Sequence, residues 1–132
     1  MGNAISLGAS SQEIRKAVKS MYTDPSHLRR QDPGKVEGNV VFTYLDAFCE
    51  DKAHIAQLKD HYQRGGLGDS ATKQILEECL QERLAPIRER RNCFLNDKAE
   101  LINILKNGSE KAKIRTEKTL TQVKSIYGLN LF

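Results

Sequence analysis

Cysteine, proline and long apolar runs are all scarce in this sequence of 132 residues. The cysteines Cys49, Cys79 and Cys93 are odd in number and stand in no CxxC or Cys/His spacing, which argues against a disulfide framework and against a zinc site. No apolar stretch approaches the roughly 20 residues of a membrane span, and no signal peptide is recognisable. We therefore predict reduced thiols, two or three of them on helix core faces, in a cytoplasmic protein without a membrane partner.

Charge is abundant but unevenly distributed along the chain. Hydrophobic residues make up 39% and charged residues 29%, a globular composition, and the length suits one compact domain. Residues 1–82 contain 10 Lys and Arg against 12 Asp and Glu, whereas residues 83–132 contain 11 against 5. The C-terminal part is therefore a candidate for binding a polyanion, although a solvated charged face would have the same composition.

Caps and turns mark the helix boundaries in the first third of the sequence. Ser10 and Glu13 have the spacing of a capping box, and the helix that they open should end before Asp24-Pro25. An ordered loop is expected to follow, and Asn39 is placed to cap a second helix. The pair Val40-Val41 would also suit a strand, but the helical spacing of the apolar residues after it favours a helix.

The middle of the sequence predicts two further helices. Asp51 can cap the first of them, and the pair Gly65-Gly66 can end it. A long helix then starts at Asp69 or Ser70. Pro86 lies within the apolar stripe of this helix, so it should kink the helix rather than end it.

The last third of the sequence predicts a fifth and a sixth helix. Asp97 and Glu100 form a second capping-box spacing, Gly108 should close the fifth helix, and Ser109 should cap the sixth. The core stripe expected for the sixth helix is Ala112, Leu120, Val123 and Tyr127. We therefore predict an all-α fold, a single bundle of about six helices with one long proline-kinked helix.

No constellation of catalytic, metal-binding or cofactor-binding residues is recognisable. The three histidines are scattered, so exposed or partly packed side chains are expected, and the helical carboxylate pairs are adjacent in sequence and diverge. The segment Gly65-Gly66-Leu67-Gly68 precedes a helix and could hold a phosphate in principle, but it lacks the Lys and Ser/Thr of a P-loop. The prediction is a chain without a catalytic, metal or cofactor site.

Two basic clusters are the candidate contacts with RNA. One lies at and after the proline of the long helix, and the other lies on the last helix, where Lys111, Arg115 and Lys118 recur at i, i+4 and i+7. Arginine suits phosphates and base edges because its planar group donates two parallel hydrogen bonds. Arg83 and Arg88 could equally pair with nearby glutamates. The full set of candidates is Arg83, Arg88, Arg90, Arg91, Lys111, Lys113, Arg115 and Lys118.

After the turn at Thr23-Asp24-Pro25, residues 34–48 follow the pattern "PG…GNPVF.YLD.F", with Val40 in place of the commoner proline. This segment resembles one in the bacterial type of tryptophanyl-tRNA synthetase. Residues 68–91 look like its long helix, and residues 108–129 are similar to its closing helix. The segments occur in the right order, and the resemblance covers essentially the whole chain.

The resemblance implies a C-terminal region that binds the anticodon. In the family, Gly-Asn and an aliphatic residue follow the KMSKS loop, but here only Met1 precedes Gly2-Asn3, and both the HIGH signature and the nucleotide-binding fold are absent. Residues 1–9 are then expected to be a remnant of the connector, residues 10–39 a linking helix and loop, and residues 40–132 the helical bundle. This chain alone is not expected to aminoacylate tRNA.

The resemblance also implies partners and cofactors. These are tryptophan tRNA, the catalytic domain of the same enzyme, the ATP that this domain binds elsewhere, and a second subunit in a homodimer. Helix Ser11 to Met21 would lie next to the catalytic domain, so we expect an exposed apolar surface there and self-association of the isolated chain. Two alternatives stay open: a tRNA-binding regulator that acts in trans, and a helical protein–protein interaction module.

Overall fold

The computed structural model describes residues 4–129, and within that range the chain is helical, without strands. Its five helices are α1 (Ser11–Ser20), α2 (Val40–Phe48), α3 (Lys52–Arg64), α4 (Asp69–Asn96) and α5 (Lys98–Ile126). The all-α prediction is confirmed. The chain divides into two units: residues up to Arg90 form unit 1, and residues from Arg91 on form unit 2. None of the helices in the described range is long and apolar enough to cross a membrane.

The caps that the sequence predicts for unit 1 are present. The Ser10 hydroxyl accepts a hydrogen bond from the Glu13 amide at 3.3 Å, and the Glu13 carboxylate accepts one from the Ser10 amide at 2.7 Å. Asn39 Oδ1 accepts from the Val41 amide at 3.0 Å, so the valine pair begins a helix rather than a strand. Gly65 ends α3 with a φ of 83°, a conformation that favours glycine.

Unit 1 is organised around one apolar core that all of its helices share. The face of α1 that we expected to be exposed is part of that core, since Ile14 and Val18 are 0% and 1% exposed. That expectation was wrong because the period of an amphipathic helix identifies the apolar face but not its partner. Self-association stays a prediction. The helical core residues are Ile14, Val18, Val41, Phe42, Leu45, Ile55, Leu58, Tyr62, Leu76, Leu80 and Leu84.

Helix α5 differs from the prediction because it does not stop at Gly108. The helix begins at the Asp97 cap, whose carboxylate accepts from the Glu100 amide at 3.0 Å, and continues to Ile126. A glycine ends a helix when it takes up a left-handed conformation, and Gly108 has no positive φ. In a helix interior it costs only about 1 kcal/mol relative to alanine. The count of about six helices is therefore corrected to five, and Ser109 caps no helix.

The core stripe predicted for the end of the chain is also wrong. Every described residue from 98 to 129 is exposed, including Leu120 at 52%, Val123 at 43% and Tyr127 at 74%. By contrast, α4 continues past Pro86 as predicted, although the kink itself stays a prediction. Sequence periodicity located the apolar face of α5 but not a surface that would cover it.

Candidate nucleic-acid interface

A partly buried polar network docks the loop before α2 onto α3 and α4. Tyr62 donates its hydroxyl proton to Asp69 Oδ1 at 2.7 Å, and Thr23 donates to Asp69 Oδ2 at 3.0 Å. His27 Nδ1 lies 3.2 Å from Asp69 Oδ1, and Asn39 Nδ2 donates to the Tyr62 oxygen at 3.4 Å. Burial and the Asp69 carboxylate raise the pKa of Tyr62, which keeps its hydroxyl protonated as a donor. The network fixes the start of α4, the helix that carries the first basic cluster.

Asp24 organises the first turn of this loop. Its carboxylate accepts hydrogen bonds from the Ser26 amide at 2.9 Å, from the Ser26 hydroxyl at 2.6 Å and from the Lys35 amide at 2.8 Å. The Ser26 donors, followed by the Lys35 amide, lower the pKa of Asp24 to about 2. The predicted turn is therefore an ordered one, closed by a carboxylate whose ionised form is strongly preferred.

His27 is a residue whose position the sequence analysis missed. It is 8% exposed, and its ring lies edge-on to the Tyr62 ring with the centroids 4.6 Å apart. Within the described residues its Nε2 is buried without a hydrogen-bond partner. The sequence contained one indication that His27 would be buried, which is its position in the turn that Asp24 organises. The other two histidines, His54 and His61, are exposed.

The first basic cluster is partly engaged within unit 1. Arg83 Nη2 lies 3.1 Å from Glu50 Oε1, so its partner is a distant glutamate rather than the adjacent Glu82. Arg88 donates to the Ala9 carbonyl at 3.3 Å, as well as to the Ser11 hydroxyl at 3.4 Å and the Gln81 amide oxygen at 3.2 Å. Arg88 thus ties the start of α1 to α4. Arg90, at the end of unit 1, is exposed, as is Arg91 at the start of unit 2.

The second basic cluster lies along α5 and is exposed throughout. We call Lys111, Arg115 and Lys118 the basic ridge, because their i, i+4 and i+7 spacing places them on one side of the continuous helix. They extend over about 10 Å at 1.5 Å per residue. In the described part of unit 2, the one ion pair joins Lys113 to Glu117 at 3.7 Å, so the ridge itself is not neutralised by a neighbouring carboxylate.

The two units also differ in net charge. Residues 1–90 contain 13 Lys and Arg against 13 Asp and Glu, whereas residues 91–132 contain 8 against 4. The whole net charge of +4 therefore belongs to unit 2. In the range 4–129, no group of three or more His, Cys, Asp or Glu side chains is arranged to hold a metal ion. The chemistry that unit 2 offers is that of cationic hydrogen-bond donors for an anion.

We compared the sequence of this chain with known proteins. No family model matches the chain. The tryptophan–tRNA ligase of Streptococcus pyogenes serotype M3 is 51% identical over 134 aligned residues, which include all of this chain and 39% of the relative. The chain is homologous to the C-terminal region of tryptophan–tRNA ligases. The ligase of Clostridium longisporum is 50% identical over 132 residues, with the same coverage.

A solved structure supports the same relationship. The crystal structure of tryptophanyl-tRNA synthetase from Campylobacter jejuni matches with a TM-score of 0.81 and 25% sequence identity, over 96% of this chain and 40% of that one. The chain thus spans about two fifths of the length of the ligases that it matches. The resemblance stated from the motifs is confirmed.

Proposed function

We propose that this chain is the region of a tryptophan–tRNA ligase that recognises the anticodon, and that its polyanionic partner is tryptophan tRNA. The observation that carries the proposal is the homology over the whole chain, joined to the concentration of the net charge in unit 2. We assign ATP binding and the transfer of tryptophan to the part of the relatives that the chain does not cover. That part is then the natural partner of this chain, in a homodimer located in the cytoplasm.

The two basic clusters serve different roles in this proposal. Arg88 has hydrogen bonds to two elements of unit 1 and Arg83 has a carboxylate partner, so neither side chain is free to move without breaking a contact. The basic ridge of α5 has no such partner in the described range. We therefore assign the phosphate contacts first to Lys111, Arg115 and Lys118. Arg90 and Arg91, which are exposed and follow Arg88 closely in sequence, are the next candidates.

A continuous helix is well suited to this task. Because α5 is not interrupted at Gly108, the three cations of the ridge keep fixed intervals along one rigid element. Phosphate contacts of this kind fix the register and the orientation of the RNA, whereas unstacked anticodon bases are read by stacking and by hydrogen bonds to their edges. The ridge therefore supplies affinity and position, and specificity for the anticodon requires additional contacts.

Binding of the chain to tryptophan tRNA, with an anticodon-substituted tRNA beside it, tests the proposal. The triple variant Lys111→Ala, Arg115→Ala, Lys118→Ala removes the ridge. The control Lys16→Ala, Lys19→Ala, Arg29→Ala removes three exposed cations from unit 1. We expect the ridge variant to lose about 10-fold or more in affinity at low salt, with a shallower salt dependence, because fewer counterions are released. The control variant should retain most of the affinity.

Three outcomes are informative. A preference for the native anticodon that persists at moderate salt supports recognition by this chain itself. Equal binding of both tRNAs that disappears with salt means that the ridge docks the backbone and that anticodon recognition is absent from this chain. No binding at low salt, or equal losses in the ridge and control variants, would overturn the assignment of the ridge.

A further inference from the structure

One side of helix α5 is free of charged residues from Leu101 to Val123. Because α5 is continuous, residues that recur at intervals of three, four or seven lie on the same side of it. At 1.5 Å per residue, this side extends over about 33 Å. We call it the α5 stripe, and its residues are Leu101, Leu105, Gly108, Ala112, Thr119 and Val123.

The threonine hydroxyls on this side of α5 are bonded to the helix itself. Thr119 donates its hydroxyl proton to the Arg115 carbonyl at 3.1 Å. Thr116, at the border of the stripe, has the Ala112 and Lys113 carbonyls as acceptors at 3.0 and 2.9 Å. A hydroxyl that bonds to a carbonyl of its own helix needs no outside partner, and its methyl group remains for an apolar contact. The stripe is therefore apolar over its whole length.

The α5 stripe has its smallest residues in the middle and exposed apolar side chains at both ends. Leu105 is 63% exposed and Val123 is 43% exposed. Between them, a Cβ at Gly108 would meet nothing within 4 Å. Glycine inside a helix costs about 1 kcal/mol relative to alanine, but it lets another backbone approach closely. A contiguous exposed apolar surface of this kind marks an interaction site.

We propose that the α5 stripe docks onto the part of the tryptophan–tRNA ligase that this chain does not cover, an inference that rests on the proposed function. The chain matches 39% of the ligase of Streptococcus pyogenes, so about three fifths of that protein lies outside it. The match to the Campylobacter jejuni structure covers 96% of the 132 residues and leaves out about five, fewer than the 29 of α5. Most of α5 therefore has a counterpart in a protein that contains this additional part.

Charge favours this occupant over a second copy of the chain. Unit 2 has 8 Lys and Arg against 4 Asp and Glu, so pairing two copies of α5 would bring like charges together. Basic residues border the stripe on both sides, with the basic ridge on one side and Lys106, Lys113 and Lys124 on the other. The partner surface is therefore apolar and has carboxylates at its edge. A partner in the same polypeptide also has a high effective concentration.

The stripe and the basic ridge occupy different sides of α5. At 100° per residue, the ridge lies about 90° around the helix from the centre of the stripe. Helix α5 thus contacts the remainder of the ligase with one side and tRNA phosphates with another, and neither contact excludes the other.

Labelling of introduced cysteines with N-ethylmaleimide tests which side of α5 is covered. Leu105→Cys lies on the stripe, and the control Ile114→Cys lies about 180° around the helix, at a residue that is 69% exposed. Each variant is labelled in this chain alone and in a chimera, the Streptococcus pyogenes ligase with this chain in place of the matched region. Peptide mass spectrometry separates the introduced cysteines from the native ones. In the chimera we expect labelling of Leu105→Cys to slow by about 10-fold or more and that of Ile114→Cys to be unchanged, because a covered side chain reacts only after local opening.

Gly108→Ala provides a second test with a sign that depends on docking. In this chain alone the substitution should stabilise α5, since alanine favours a helix. In the chimera the added methyl group lies against the docked partner, so the melting temperature should fall by about 2 °C or more.

Amide hydrogen exchange of the unaltered Streptococcus pyogenes ligase is a third measurement and needs no chimera. The helix aligned with α5 should exchange about 10-fold or more slowly than α5 in this chain alone. Equal labelling of Leu105→Cys in the chain and in a cooperatively melting chimera, or equally fast exchange of the two helices, overturns the proposal. So does protection in the chain alone that rises with its concentration, which would assign the stripe to a second copy. No tRNA is present in these measurements, so their failure is distinguishable from a failure of the proposed function, which the tRNA titrations detect.

Discussion

Units 1 and 2 are both built from helices with apolar side chains, but only unit 1 buries those side chains. Thirteen apolar side chains are buried in unit 1, whereas not one described residue of unit 2 is buried. Ion pairs in unit 1 join residues distant in sequence, such as Arg15 with Glu77 at 2.8 Å, but the pair in unit 2 is local, between Lys113 and Glu117. Amphipathic pattern and helix length therefore do not by themselves determine packing. The unit with balanced charge is the one with a core, and the unit with the net charge has no buried residue in its described part.

Leucine-to-alanine substitutions should give the largest difference between the units. Leu76 is fully buried, so Leu76→Ala should lower the free energy of unfolding of unit 1 by about 2–5 kcal/mol through lost burial and a cavity. Leu105 is 63% exposed, and Leu105→Ala should change stability by no more than about 0.5 kcal/mol. Urea unfolding followed by far- and near-ultraviolet circular dichroism measures both. Similar losses in the two variants would mean that the apolar face of α5 is covered in solution.

Glycine-to-alanine substitutions should have opposite signs in the two units. A Cβ at Gly34 would lie 2.2 Å from Tyr62 Cε1, so Gly34→Ala forces the buried ring to move and should cost about 1–3 kcal/mol. A Cβ at Gly108 meets nothing within 4 Å, and Gly108→Ala should stabilise α5 by about 0.5–1 kcal/mol. Thermal unfolding tests the first change, and amide hydrogen exchange across α5 tests the second. A melting temperature that is unchanged or higher in Gly34→Ala, or faster exchange across α5 in Gly108→Ala, contradicts this account.

Single arginine substitutions should separate an RNA contact from an internal one. Arg115→Ala should weaken tRNA binding about equally for native and altered anticodons, and should reduce the slope of log affinity against log salt by about 0.7–0.9. Arg83→Ala removes a side chain that already has Glu50 as a partner, so its effect on binding should be smaller. Titrations at several salt concentrations provide both slopes. A larger loss for Arg83→Ala would shift the interface to the first basic cluster.

Acidification should lower the stability of unit 1 through protonation of Asp24. This is the smallest of the effects predicted here. Its folded pKa of about 2 lies below the unfolded value of about 3.9, so its ionised form stabilises the fold above about pH 4. That stability is lost as the pH falls toward 2. Asp24→Asn should flatten the decrease in melting temperature between pH 4 and pH 2, whereas Asp60→Asn, at an exposed position, should leave it unchanged. Parallel pH profiles for wild type and Asp24→Asn would contradict the assignment.

Short-range sequence signals were the reliable ones. The caps at Ser10, Asn39 and Asp51 depend on side chains within three residues of the groups that they bind, so spacing alone identifies them. Gly108 failed as a stop signal because a glycine can either end a helix or be tolerated inside one, and the local sequence does not distinguish these outcomes. The candidate interface was predictable as a set of basic residues on helices. The sequence did not predict which of these basic residues have hydrogen-bond or ion-pair partners within the chain.

Contacts between distant residues account for what the sequence left open. Arg83 and Arg88 look like Arg90 and Arg91 in the sequence, yet the first two reach Glu50 and Ala9 across unit 1. His27 becomes buried only because the loop folds against Tyr62 and Asp69. Such partners lie tens of residues away, and a local pattern carries no information about them.

The sequence by itself determined the all-helical class, most helix boundaries and the excess of positive charge at the C-terminal end, because each follows from neighbouring residues or from composition. Tertiary structure decided which apolar faces are covered and which cations of the described residues have partners within the chain. Each of those depends on the packing of one helix against another. A helix has an apolar face by virtue of its own sequence, but only a partner surface can exclude water from it.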